Sequence, residues 1–263
     1  MTEARYTHGH HESVLRAHRW RTIENSCGYL IAHLRAGMSV LDVGCGPGTI
    51  TADIAAHVAP GPVLGIDQAA SVIEEAGLRQ DRHNLRFTVG DVMSLDDGVQ
   101  YDVVHAHQVL QHLQDPVGAL RHMRTACREH GLVAVRDADY GTMTWYPNHR
   151  GLDHWLEVYR ETARRNGAEP DAGRRLLSWA REARFDSVEA SASTWCFADA
   201  EDRAWWGGLW AERVLESSFA SHAVEFGLAS VADLEQMARA WRWWSEQADG
   251  WFVVVHGEVL CRG

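Results

Sequence analysis

The sequence contains no apolar run that approaches the length of a membrane span, and its opening, Met1-Thr2-Glu3-Ala4-Arg5, lacks the apolar core of a signal peptide. A cytoplasmic protein with no membrane partner is therefore expected. Cysteine is scarce and scattered: Cys27, Cys45, Cys127, Cys196 and Cys261 are odd in number and never spaced C-x-x-C, which argues against a disulfide framework and against a zinc site. Positive charge is also short, with 25 Lys and Arg against 36 Asp and Glu, a formal net charge of -11 and no basic stripe. A nucleic-acid surface draws its affinity from clustered Lys and Arg, so that class of partner is disfavoured. Repeats, low-complexity tracts and unstructured linkers are missing as well. The 12 tryptophans are the compositional excess. The remaining composition is that of an ordinary globular protein, and 263 residues suffice for a full core plus an insertion.

The most informative stretch is Val40-Leu41-Asp42-Val43-Gly44-Cys45-Gly46-Pro47-Gly48-Thr49. Its apolar run suits a strand covered on both faces, and three alternating glycines then remove every side chain where the backbone turns tightly and admits a ligand. Apolar periodicity resumes through Ile50, Ile54, Ala55 and Val58, which places a helix N-terminus at the same crevice. A glycine loop alone could be a tight turn. The following strand, Val63 to Ile66, ends at Asp67, about 20 residues on, where a doubly wound fold places the carboxylate that grips a ribose diol. A third strand, Leu85 to Val89, runs into Gly90-Asp91-Val92. A dinucleotide site would leave that third acid idle.

These residues resemble the three cofactor motifs of class I S-adenosylmethionine-dependent methyltransferases, in the small-molecule branch that includes the ubiquinone and menaquinone C-methyltransferases. The resemblance spans Met38 to Asp139 and implies S-adenosylmethionine as cofactor. It implies that the backbone from Gly44 through Cys45 and Gly46 to Gly48 lies against the methionine moiety, with Asp42 ordering its amino end. It further implies that Asp67, with Gln68 beside it, holds the ribose hydroxyls, and that Asp91 with the Val92 amide reads adenine. The implied fold is α/β, a doubly wound Rossmann-like sheet of seven strands, mostly parallel with an antiparallel last strand.

Ahead of the first strand, Val14, Leu15, His18, Ile23, Tyr29, Leu30, Ile31 and Leu34 recur at helical steps, and Gly37 ends the helix. In the resembled family such a helix folds over the cofactor mouth, so residues 1–37 are expected to form a lid that brings Tyr6 to the ligand. His8, His10 and His11 read either as a metal or substrate cluster or as an exposed terminus; with no acid or cysteine at ligand spacing, no metal is expected. A fourth strand, Tyr101 to His107, should deliver His107 and Gln108 to the crevice outside the strand ends. The resemblance puts His107 where the family contacts the acceptor atom and makes it a cofactor neighbour too. A satisfied structural histidine is the alternative, and for His105 and His112 that reading or an indirect role is preferred. A fifth strand from Gly131 to Asp137 should release Asp137, Asp139 and Tyr140 at the substrate side. Two acids there would suit a divalent ion, but His107 stands where the metal-dependent type needs an acid.

Beyond Gly141 come two helices, a strand from Val188 to Phe197, two long helical stretches over 200–248, and a last strand from Trp251 to Leu260. The final pair of strands would normally be almost adjacent, so residues 200–248 read as a helical cap inserted into a core of 38–199 and 249–263. Trp205, Trp206, Trp210, Phe219, Phe226, Trp241, Trp243 and Trp244 gather there, either as core or as a pocket for an apolar or aromatic acceptor.

The function expected is methyl transfer to a small acceptor, with His107, Gln108, His112, Asp139 and Tyr140 as candidates for the chemistry. An NAD-dependent oxidoreductase is the competing enzyme, though its G-x-G-x-x-G spacing is not met. A non-catalytic nucleotide-binding protein of the same fold is a third reading. The sequence leaves the oligomeric state open, a homodimer included.

Overall fold

The computed structural model describes residues 6, 7, 9, 11–79, 82–95 and 98–263. His8 and His10, two of the N-terminal histidines, lie outside them. The long N-terminal helix inferred from periodicity is in fact three short ones, α1 (Glu12–Arg19), α2 (Ile23–Ser26) and α3 (Gly28–Ile31). The interruption is written locally: Thr22 and Asn25 close a reciprocal capping box that starts a new helix, so Trp20 and Arg21 fall in an irregular bend.

The sheet then builds up from β1 (Val40–Val43), α4 (Thr49–Val58), β2 (Val63–Asp67), α5 (Ala70–Gly77), β3 (Leu85–Val89), β4 (Tyr101–His107), α6 (Pro116–Ala126) and β5 (Cys127–Tyr146). It is completed by α7 (Arg150–Arg165), α8 (Leu176–Glu182), β6 (Ser187–Phe197), α9 (Ala200–Glu216), α10 (Ser218–Glu225), α11 (Val231–Ser245) and β7 (Trp251–Arg262). The strand order is β3-β2-β1-β4-β5-β7-β6. β1 to β5 pair in parallel, and β7 runs antiparallel between β5 and β6. This is the seven-stranded doubly wound sheet with an antiparallel last strand that the motifs imply.

All four β1 residues are buried because both sheet faces are covered. Leu41 and Val43 join one core with Val104, Leu120 and Val135, while Val40 joins the other with Ile54, Val58 and Val63. A third core joins Trp155, Trp210, Trp241 and Trp244 around Phe252. The segment between β6 and β7 holds three helices rather than two long stretches, because Ser217 starts α10 after α9 and Ser230 caps α11. α7 packs into the same core, so the helical layer reaches beyond residues 200–248. The N-terminal α1 lies against α9, where Arg213 donates to the Ser13 carbonyl at 3.0 Å and Arg16 pairs with Glu212. Among the described residues no helix is long and apolar enough to cross a membrane.

Candidate functional site

The carboxyl ends of β1, β2, β4 and β5 open on one cavity of about 680 Å³, closed over by α1, the Trp20–Arg21 bend and α9. Its floor is the glycine loop. Gly44, Gly46 and Gly48 all have positive φ (63°, 55° and 80°), which only glycine adopts without strain. Their surroundings differ. A Cβ on Gly44 would strike Val109 at 2.5 Å and one on Gly48 would strike the Phe87 ring at 2.6 Å, whereas a Cβ on Gly46 would meet only His18 Nδ1 at 3.8 Å. Gly46 therefore presents bare backbone to the cavity, and Gly48 does not line it but starts α4. The Cys45 thiol lines the loop, and burial pushes its pKa up, so it is held as a neutral small residue.

Asp67 stands at the end of β2, with Gln68 beside it on the cavity wall. It accepts from Gly46 N at 3.1 Å and Ala69 N at 3.0 Å, so one carboxylate ties the glycine loop to the next strand end. Asp91 caps a short 3-10 turn by accepting from Met93 N at 2.8 Å and, with Val92, completes this wall. Asp42 reaches the cavity with a carboxylate already engaged: Oδ1 lies 2.7 Å from His105 Nδ1, and Oδ2 accepts from Thr51 at 2.5 Å. His105 in turn meets Cys27 Sγ at 3.1 Å and is fully buried, so it acts through Asp42 rather than on a ligand.

The opposite wall comes from β4, β5 and the helical layer. His107 is 5% exposed, and neither ring nitrogen has a hydrogen-bond partner among the described residues. Burial holds its pKa well below the usual value, helped by Arg21, Arg136, His256 and His105, so the ring is neutral with a lone pair available. Gln108 follows at φ 53°, a left-handed conformation unusual for a side-chain-bearing residue. Two contacts hold it: its Oε1 accepts from Arg21 at 2.6 Å and its Nε2 lies 2.8 Å from His256 Nε2. Gln108 thus links the N-terminal bend to β7. His112 lies edge-on to Tyr6 with ring centroids 4.8 Å apart, and burial pushes it down to about 3. Tyr6 also lines the cavity, and burial raises its hydroxyl to about 12. Tyr140 stacks on Tyr159 at 4.3 Å and lines the cavity.

Asp139 and Asp137 are not brought to the cavity. β5 continues well past Asp137, and its alternation sends Ala138 and Tyr140 to the cavity face and the two acids to the other face. There Asp139 is gripped by Arg174 at 2.6 and 2.7 Å. Asp137 accepts from Gln111 N at 3.2 Å, and burial raises it to about 8. His11, the one N-terminal histidine described, caps α1 and faces Glu212 and Glu216 of α9 at 3.8 and 3.4 Å. Those acids stand far away in sequence, so residue spacing shows no sign of them.

Of the tryptophans, Trp205 and Trp206 line the cavity with Trp20 and Trp195, while Trp210, Trp241 and Trp244 are core. Arg21 and Arg213 are the cavity residues that sequence reasoning missed. Neither carries a local sequence signal: Arg213 shares its helix face with a second buried arginine, Arg203, as well as with Trp210 and Val214.

A doubly wound sheet, a bare-backbone glycine cradle and acids at successive strand ends define a Rossmann-like α/β protein whose ligand lies at the carboxyl ends of its strands. The chain belongs to the methyltransferase-domain family, which matches residues 34–184. An uncharacterized methyltransferase of Schizosaccharomyces pombe is 34% identical to it, over 97% of this chain and 95% of that one. Among solved structures, the YcgJ protein of Bacillus subtilis has the same fold with a TM-score of 0.57 and 16% identity, covering 91% of this chain and 98% of that one. Coclaurine N-methyltransferase, solved with N-methylheliamine and SAH, gives a TM-score of 0.52 at 17% identity, covering 95% of this chain and 71% of that one.

Proposed function

We propose that this protein transfers the methyl group of S-adenosylmethionine to a small acceptor with a largely apolar or aromatic body, bound between the glycine loop and the tryptophan-lined helical layer. The observation that carries the reading is His107: a buried imidazole with both nitrogens unpartnered faces the same cavity as the glycine loop. Buried polar atoms are rarely left without a partner unless a ligand supplies one.

The residues present fit the cofactor. Gly46 offers bare backbone in the cradle, Asp67 and Gln68 stand where a ribose diol needs acceptors, and Asp91 with Val92 closes the far wall. When bound, S-adenosylmethionine supplies an electrophilic methyl carried on a sulfonium. The protein has three tasks: to hold the acceptor in line, to exclude water, and to take a proton if the nucleophile releases one. Alignment alone is worth about 7 kcal/mol or more of barrier. Trp20, Trp195, Trp205 and Trp206 exclude water, and neutral His107 is the group able to accept a proton at the acceptor side.

Incubation with methyl-labelled S-adenosylmethionine and a panel of phenols, quinones, aromatic acids and amines tests this reading. Label should pass to at least one small aromatic compound and not to nucleic acid or protein. Failure of the protein to bind either S-adenosylmethionine or S-adenosylhomocysteine would overturn it.

A further inference from the structure

Two guanidinium groups enter the cavity without a counter-ion among the described residues. Arg213, on α9, is 4% exposed; it donates to the Ser13 carbonyl at 3.0 Å, lies over the Trp210 ring at 4.5 Å, and leaves Nε without a partner. Arg21, in the bend after α1, donates to Gln108 Oε1 at 2.6 Å, lies 5.7 Å from the Trp195 ring centre, and also leaves a buried Nε unpartnered. Neither forms an ion pair with any carboxylate among the described residues. Other arginines of this protein do: Arg136 pairs with Glu258, Arg160 and Arg164 with Asp171, and Arg174 with Asp139.

An unpaired buried charge is costly, and two of like sign on one cavity are costlier. The phenols of Tyr6 and Tyr140 line the same cavity, but burial keeps both protonated, so they carry no charge that would neutralise the arginines. Asp137 is pushed up to about 8 and faces away from the cavity. Among the described residues no group neutralises the two arginines, and an anionic ligand would do so.

Resting on the methyl-transfer reading above, we infer that the acceptor is an organic carboxylate with an apolar or aromatic body, its carboxylate seated at Arg213. Planar guanidinium groups match a carboxylate in geometry, and tryptophan faces suit the apolar remainder. The place on the sheet separates this anion from the carboxylate of the cofactor itself. Arg213 comes from the helical layer and has Tyr140 of β5 as an electrostatic neighbour, and β5 lies two strands, roughly 10 Å, from the glycine loop on β1. A positively charged amine is disfavoured as acceptor by the same two cations.

The test uses the full chain saturated with S-adenosylhomocysteine, titrated by calorimetry with 1-naphthoate and with its neutral counterpart 1-naphthamide. The acid should bind about 10-fold or more tightly than the amide. Arg213→Met should erase that preference while leaving the affinity for S-adenosylhomocysteine unchanged, and Arg213→Lys should keep part of it. Thermal melts of both variants show that each is folded. Equal affinity for the two probes, absence of binding included, overturns the inference. So does an Arg213→Met variant that loses S-adenosylhomocysteine, because the arginine would then hold the cofactor. No binding of S-adenosylhomocysteine to the wild type fails the methyl-transfer reading itself, and this inference with it.

Discussion

Asp42 and His105 meet at 2.7 Å beneath the glycine loop, His105 fully shielded from water and Asp42 almost so, and the pair fixes the strand end from which the loop departs. Burial opposes charge on His105, but Cys27 and Asp42 outweigh it and push the ring up to about 10. A folded-state pKa above the usual value of 6.5 means that this group stabilises fully below about pH 6.5 and loses that contribution as pH rises through about 10. Melting temperature should therefore fall across that interval in the wild type. Asp42→Asn should flatten the dependence and lower stability by about 3–5 kcal/mol, since it strands a buried partner. A wild-type melting temperature that is flat or rises across the same interval would show that His105 is neutral.

His107 should behave in the opposite way. Its pKa is held well below 6.5, so the neutral ring predominates at physiological pH, and any acidic limb in the rate profile should be centred well below that value. His107→Ala should lower turnover roughly 10²- to 10⁴-fold and remove the limb, with binding of S-adenosylhomocysteine intact. His107→Asn should retain much of the rate if the ring only orients the acceptor. Wild-type kinetics in the alanine variant would take His107 out of the chemistry.

The tryptophans divide into two experimental classes. Trp210 is fully buried against Trp155 and Trp241, so Trp210→Ala should cost about 3–5 kcal/mol in a denaturation experiment. Trp205 is only partly buried and faces the cavity, so Trp205→Ala should raise the acceptor KM with little change in melting temperature or in cofactor affinity. A large stability loss at Trp205 with unchanged KM would make it core.

What the sequence reveals and what it hides follow one physical divide. The cradle is legible because strand, glycine loop and strand-end acids are local: Asp67 and Asp91 each sit a fixed step past an apolar run, and the parallel sheet aligns those steps. Asp139 was misplaced because the strand was expected to stop at Asp137, and its continuation sends the side chain to the other face. The N-terminal helix looks continuous in the sequence because hydrophobic spacing persists across a break that only the Thr22 capping box reveals. Arg21 and Arg213 were invisible because their meaning lies in tertiary placement. In a helix, a lone arginine is ordinarily a solvated residue, and nothing local marks one whose counter-ion is missing.

The central claim, that the glycine loop and Asp67 hold an S-adenosyl ligand, is tested most directly by calorimetric titration of S-adenosylhomocysteine into the wild type and Asp67→Ala. Asp67 also bonds Gly46 N and Ala69 N, so Asp67→Asn serves as the variant that keeps its shape. The account predicts one site per chain in the wild type, with affinity weakened roughly 10- to 150-fold in Asp67→Ala and the fold intact. An unchanged dissociation constant in Asp67→Ala, or no heat of binding in the wild type, would contradict it.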